Sequence, residues 1–248
     1  MKKLESALLL FFSCFLLMSF DSTYAKNELE AVPDTPQKPH QDIVPDTVKD
    51  SHSKLTAKYT VRPGLNCTAI LISSTAALTA KHCVMSKQGT SAGTIYPGSS
   101  GSLMPFGYMN ISSYALHPKY DIAVIKGTER DQDKFYKYYI GKFKTRVTGY
   151  SDSTLSSFVN KEAYSYGYPK KSDVYYQYRS DGTITYYVDS FKYFNTNLPA
   201  YGGQSGSGVF LKNGQFIGII YEHTVVKNEA VVLPFTEDIA KWINENAK

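Results

Sequence analysis

The chain has 248 residues, 42% of them hydrophobic and 20% charged, with a formal net charge of +5. That is enough apolar material for one large or two small cores. The charge is spread along the chain rather than gathered into a dense Lys/Arg stripe, which excludes nucleic acid as the expected partner.

The first three residues are Met1-Lys2-Lys3, followed by an apolar run from Ala7 to Phe20 and small residues ahead of Ala25. This pattern predicts a secretory signal peptide over residues 1–25. The run is short for a bilayer span and no later segment comes closer, so the mature protein is expected off the membrane, secreted and extracellular. Cutting there removes Lys2, Lys3, Glu5 and Asp21 and leaves the net charge unchanged. Cys14 leaves with the signal. Cys67 and Cys83 remain, and two cysteines in an exported chain suggest a disulfide. It would close a loop of about 15 residues, for which the chain-entropy model gives roughly 3 kcal/mol. Without a CxxC pair or clustered histidines these cysteines make a poor metal site, and no metal or organic cofactor is expected.

Residues 26–54 are rich in Pro, Lys and Asp and lack a hydrophobic period. They are predicted to be a propeptide or disordered linker rather than a packed element. No chemistry is assigned to His40 or His52 within them. The remaining 55–248 is one functional unit in this reading.

After Lys54, short apolar runs alternate with turn residues. "TAILISS", "AALTA", "YALH", "DIAVIKG" and "AYSYGY" read as strands. "DVYYQYRSDGTITYYVDSF" reads as a hairpin about Asp181-Gly182, and "GVFL" with "QFIGIIY" as a second about Asn213-Gly214. The 21 tyrosines suit half-buried sheet faces. The one predicted helix is the last element. Thr236 caps "EDIAKWINENAK", Glu237 and Asp238 sit in its first turn, and Ile239, Trp242 and Ile243 share a face. Many short strands and one helix give an all-β sandwich or barrel.

Three stretches carry residues suited to chemistry. "ALTAKHCV" ends a strand in a small-residue turn bearing His82 next to Cys83, and a disulfide to Cys67 would pin that turn. "HPKYDIAVIKG" puts Asp121 directly before an apolar strand, where a carboxylate can hold an imidazole in one tautomer. "YGGQSGSGVF" surrounds Ser205 with glycines. A nucleophilic serine needs a base nearby and donors for the oxyanion that develops. Gly203 permits the tight turn that aims backbone amides at one point, and Gly202 and Gly206 are expected to let the substrate come close. Taken singly, each stretch also reads as structure: a satisfied histidine, a strand-entry aspartate and a glycine-rich turn. Together, in the order His, Asp, Ser, they match one of the known triad orders.

With "CTAILI", "LTAKHC", "YDIAVI", "YGYP" and "YGGQSGSGVF", the sequence resembles the chymotrypsin-fold serine proteases, and among them the glutamyl endopeptidase-like branch of Gram-positive bacteria. The resemblance runs from Cys67 to about Tyr221. It implies a trypsin-like fold of two antiparallel six-stranded β-barrels divided near residues 140–150, with a C-terminal α-helix and the active site between the barrels. It implies His82 as general base, Asp121 as its orienting partner and Ser205 as nucleophile. It also implies an oxyanion hole from the Gly203 and Ser205 amides, a Cys67–Cys83 disulfide and polypeptide substrates; a monomer is expected, and the composition of residues 26–54 suggests a zymogen. Gln204 stands where digestive members carry an aspartate that pairs with a new N-terminus, and it cannot form that ion pair. Gly208 stands where the bacterial branch commonly has proline.

The primary pocket implied by the resemblance is formed by Leu198-Pro199-Ala200 and by Ile219 to His223, with Ala200, Ile220, Tyr221 and His223 as candidate lining residues. Pro199 occupies the place of the aspartate that selects basic side chains. Ala200 and Ile220 occupy the places of the hydroxyl residue and histidine that hold a substrate glutamate. An apolar or uncharged polar preference is therefore expected; a glutamate preference would require His223 to reach the pocket through a shifted or bulged strand. The substrate is expected to bind extended along Tyr221–His223. The rival reading is a catalytically silent binding protein on the same fold, or a surface adhesin, which a fluorophosphonate probe separates from a protease.

Overall fold

The computed structural model describes residues 38–84 and 92–248; the signal-peptide reading, Cys14 and residues 26–37 lie outside them. Strand β1 (His40–Ile43) and a 3-10 turn (Ser53–Leu55) come first. Seven strands then form one antiparallel sheet: β2 (Thr56–Arg62), β3 (Leu65–Leu71), β4 (Ala76–Thr79), β5 (Thr94–Pro97), β6 (Met109–Asn110), β7 (Ser113–Leu116) and β8 (Ala123–Lys126). Helices α1 (Lys134–Ile140) and α2 (Asp152–Ser156) lead to the second sheet. It contains β9 (Glu162–Gly167), β10 (Tyr178–Val188), β11 (Tyr193–Pro199), β12 (Gly208–Leu211), β13 (Phe216–His223) and β14 (Glu229–Pro234). Helix α3 (Glu237–Asn246) ends the chain.

The second sheet runs β10-β11-β14-β13-β12-β9, and β10 pairs again with β9, closing six strands into a barrel with β1 added beside β10. The first sheet runs β6-β5-β2-β3-β4-β8-β7 and stays open as a half-barrel. The all-β class, the two-barrel plan and the terminal helix agree with the sequence reading. Thr236 caps α3 as expected, its Oγ1 accepting from the Ile239 amide, and Ile239 and Ile243 are buried.

The pattern of β3 explains where the site lies. Cys67, Ala69 and Leu71 face a core with Ile95 and Met109, while Ile70 and Ile72 face a second core with Val209, Ile219 and Phe235. Both faces of this strand are covered, which is why its sequence is almost continuously apolar. One sheet therefore supplies a wall shared with the barrel behind it. Tyr221 on β13 packs against both cores.

Three expectations are corrected. Residues 38–54 of the supposed linker are packed: β1 pairs in register with β10, Val44 is buried with Tyr164 and Tyr166, and His52 stacks on Tyr166 while sharing a hydrogen bond of 2.8 Å with the Tyr164 hydroxyl. Few apolar residues are needed there, because a single added strand borrows the barrel's existing core.

The hairpin about Asp181-Gly182 does not exist. β10 runs straight through it, and Asp181 pairs with His40 on one side and Tyr164 on the other. Gly182 is glycine because a side chain would press on the Leu198 backbone amide 3.0 Å away. The turn lies at Asp189–Lys192 instead. The Asn213-Gly214 hairpin is present, with Gly214 at φ +86°.

Helix α1 was also missed. Its "KFYKYYI" carries five aromatic or β-branched residues that suit a strand, but Asp133 caps it by accepting from the Tyr136 amide at 2.7 Å. Tyr136 and Ile140, four apart, bury one face.

Candidate active site

His82 sits on a 3-10 turn, Lys81–Cys83, directly after β4. Asp121 grips it at two points. Oδ2 lies 2.7 Å from His82 Nδ1, and Oδ1 accepts the His82 backbone amide at 2.9 Å. The carboxylate fixes the proton on Nδ1, which leaves Nε2 of the neutral ring with a lone pair. The hydrogen bond that the His82 ring donates to Asp121 raises the His82 pKa above the usual histidine value, against the opposing effect of burial, and the charges of Asp121 and Glu222 act in the same direction as that bond. Burial pushes the Asp121 carboxyl up, but its bonds to the His82 ring and amide outweigh this and hold it below the usual carboxylate range.

The turn that presents Asp121 is built by His117, a residue the sequence reading passed over. His117 is buried, and its Nδ1 accepts the amides of Lys119 at 3.1 Å and Tyr120 at 3.0 Å. Burial, then the charges of Lys81 and Lys119, lower its pKa, so the ring stays neutral and keeps that acceptor. Lys81 Nζ donates to the His117 carbonyl at 2.9 Å, tying the two turns together.

The Ser205 loop is fastened to β3. The Thr68 amide donates to the Ser205 carbonyl at 2.9 Å, and Thr68 Oγ1 donates to the Gly203 carbonyl at 2.9 Å. The Cys67–Cys83 disulfide is present, and Cys83 Sγ lies 4.0 Å from the Ser205 carbonyl oxygen. The serine is thereby brought beside the turn that carries His82. Among the described residues Ser205 Oγ makes no hydrogen bond, so the contact between it and His82 is not closed in this structure. Such contacts commonly tighten only when substrate binds. Both cysteine sulfurs and a ring nitrogen of His82 lie within 4.8 Å of one another. Disulfide sulfurs are not thiolates, so this trio is not a metal site.

Gly203 has φ +97°, and a side chain there would collide with the Tyr168 carbonyl. The Gly202 carbonyl accepts the Lys170 amide at 2.7 Å. In a trans peptide the C=O and the following N–H point opposite ways, so this anchor directs the Gly203 N–H away from Lys170. Among the described residues neither that amide nor the amide of Ser205 has an acceptor. Two unpaired backbone donors flanking one serine are what an incoming oxyanion requires. Gly206 has a different use from the one expected. It has φ +93° and is pressed against Thr68 and Thr79 of the first sheet, so it serves packing rather than substrate access. Gly202 does face open space.

The four candidate pocket residues divide. Ala200 and Ile220 are fully buried in the core of the second barrel, whereas Tyr221 and His223 are half-exposed. The β13–β14 register shifts between Ile220 and Glu222, so a bulge sits at Tyr221.

A profile of the trypsin-like peptidase domain matches residues 67–219, from the first disulfide cysteine to the middle of β13. The chain belongs to the trypsin-like peptidase family. Solved structures of proteases share its fold. A Glu endopeptidase in complex with MPD superposes with a TM-score of 0.67 at 20% identity, over 86% of this chain and 99% of that one. The protease Anisep from Arthrobacter nicotinovorans gives 0.61 at 16% identity, over 80% and 98%. An inactivated protease paralogue of the scabies mite also gives 0.61, at 15% identity over 78% and 94%. No curated protein matches. The first of these relatives is consistent with the resemblance to the glutamyl endopeptidase-like branch. The last shows that this trypsin-like fold is also carried by a chain described as inactivated, so function rests on the site. Among the described residues no helix is long and apolar enough to cross a membrane.

Proposed function

We propose that this trypsin-like peptidase is a secreted serine endopeptidase working through an acyl-enzyme. The observation that carries the reading is the two-point grip of Asp121 on His82 beside a serine loop with two unpaired amides. Ser205 Oγ attacks the scissile carbonyl while His82 Nε2 takes its proton. Negative charge develops on the carbonyl oxygen, facing the amides of Gly203 and Ser205. His82 then protonates the leaving amine, and water releases the acyl group by the same steps in reverse. Asp121 stays ionised and stabilises the imidazolium. A fluorophosphonate probe should label the protein on Ser205, and absence of labelling would leave the silent-binder reading.

The pH dependence follows from the same pair. Catalysis needs neutral His82, whose pKa lies above the usual 6.5. The rate is expected to rise with pH through that higher value. For folding the sign is opposite: the Asp121–His82⁺ interaction stabilises fully below the unfolded-state pKa and is lost as pH rises through the folded one. Asp121, with its lowered pKa, contributes stability above its unfolded value that is lost as pH falls. A kcat/KM profile flat between about pH 5 and pH 8 would remove His82 from the role of base.

The pocket is proposed to take an apolar or uncharged polar side chain. Ala200 and Ile220, at the places where the resemblance puts the ligands of a substrate carboxylate, are buried in the barrel core and carry no donor, and burying a carboxylate unpaired costs several kcal/mol. The competing glutamate reading draws on the bulge at Tyr221, which alters the path of the strand toward His223. Matched peptides with Glu, Gln, Leu or Phe before the scissile bond decide between them. Uncharged residues are expected to be cleaved at least about tenfold faster than Glu. A Glu preference above tenfold, abolished in His223→Ala, overturns this assignment.

A further inference from the structure

Immediately before Ser205 lies Gln204, a fully buried polar side chain. Its Oε1 accepts the Tyr201 amide at 2.9 Å, clamping the turn that ends in the nucleophile. The same oxygen accepts from Gln41 Nε2 at 3.1 Å, a residue 163 positions upstream. Gln41 Nε2 also lies 2.7 Å from Ser180 Oγ and 3.0 Å from the Pro199 carbonyl. An amide nitrogen has two hydrogens for these three acceptors. Ser180 resolves the count, because its own hydroxyl donates to the Pro199 carbonyl at 2.8 Å. Gln41 then gives one hydrogen to Ser180 and one to Gln204. The result is a neutral network holding both ends of the segment from Pro199 to Gln204, with Gln41 Oε1 buried beside it and without a partner among the described residues.

Gln41 is fixed independently of this network. It lies opposite Ser180 in the β1–β10 register, and the Val44 amide donates to the Gln177 carbonyl at 2.9 Å. β1 is thus a splint across the barrel with one side chain aimed at the nucleophile loop.

We propose that Gln41 is a positioning residue for the Ser205 loop: through Gln204 it sets the backbone turn that aims the Gly203 and Ser205 amides. The proposal rests on the serine-peptidase reading above. It assigns residues 40–44 to the working enzyme rather than to a discarded pro-segment. It also replaces a charged activation contact with a neutral one, since no new α-ammonium is needed to hold Gln204.

Gln41→Met keeps the length and packing of the side chain and removes both hydrogens. Its fluorophosphonate labelling rate and its kcat on a peptide are expected to fall at least about tenfold, with KM little changed and the melting temperature close to wild type. A purely structural role would lower the melting temperature and leave labelling of the folded fraction unchanged. Labelling within about twofold of wild type overturns the proposal. A second measurement needs no variant. N-terminal sequencing of active secreted protein is expected to find a start at or before Gln41. An active form beginning after Gln41 overturns the proposal even if the variant fails to fold. Failure of the wild-type protein to label would instead refute the peptidase reading.

Discussion

Ser205→Ala is expected to lower turnover by about 10⁴- to 10⁶-fold, leaving only what binding and the backbone amides supply. The fold should be unaffected. What holds this residue in place is its carbonyl, bonded to the Thr68 amide, and its hydroxyl makes no hydrogen bond among the described residues. A change of stability within about 0.5 kcal/mol is therefore expected. Casein cleavage and thermal melting on the same preparation separate the two effects. Wild-type cleavage by the alanine variant would sink the proposed mechanism. Because an inactivated paralogue shares this fold, the experiment also carries the distinction between an enzyme and a silent binder.

Gly206→Ala is expected to be the most damaging small substitution in the loop. The residue has φ +93°, where an L side chain is strained, and its Cβ would lie 2.5 Å from Thr79 Oγ1 and 2.9 Å from Thr79 Cα, with the Thr68 carbonyl closer still. These are mainly backbone atoms of the shared wall, which cannot swing aside. Strain of about 1–3 kcal/mol and overpacking of a similar size together approach a large share of a typical domain's stability. A fall in melting temperature of about 10 °C, or insoluble protein, is the expected outcome. Gly202→Ala is the control. Gly202 is not in the left-handed region and has nothing within 4 Å of its Cβ position. Its melting temperature should stay near wild type. If both variants melted together, the packing argument for Gly206 would fail.

The candidate triad was legible because each member lies in a short contiguous stretch whose composition is unusual for its place in a strand pattern. The residues that hold it were not. His117 builds the Asp121 turn from four positions away, but a lone histidine before proline carries no such sign. Thr68 and Gln41 reach Gly203 and Gln204 across separations of 135 and 163 residues, and a single threonine or glutamine has no periodicity to betray it. The Asp181-Gly182 error has a physical source as well. Glycine marks either a turn or a close approach, and sequence alone does not distinguish them. Near Gly182 the deciding atoms belong to Asn197 and Leu198, on the neighbouring strand. The packed state of residues 38–54 was hidden for a related reason: an added strand inherits its partner's core.

The neighbours Cys67 and Thr68 share one consequence. Cys67 fixes the turn of His82 through the disulfide, and Thr68 fixes the loop of Ser205 through two hydrogen bonds. The proposed base and nucleophile, 123 positions apart in the chain, are thus both gauged from one dipeptide whose α-carbons are about 3.8 Å apart. In an assembly of two bodies, a common datum of this kind removes the accumulated error of everything between. On the proposed assignment, the segments between the two sheets can change in length without resetting the alignment of His82 and Ser205, because neither anchor lies on them.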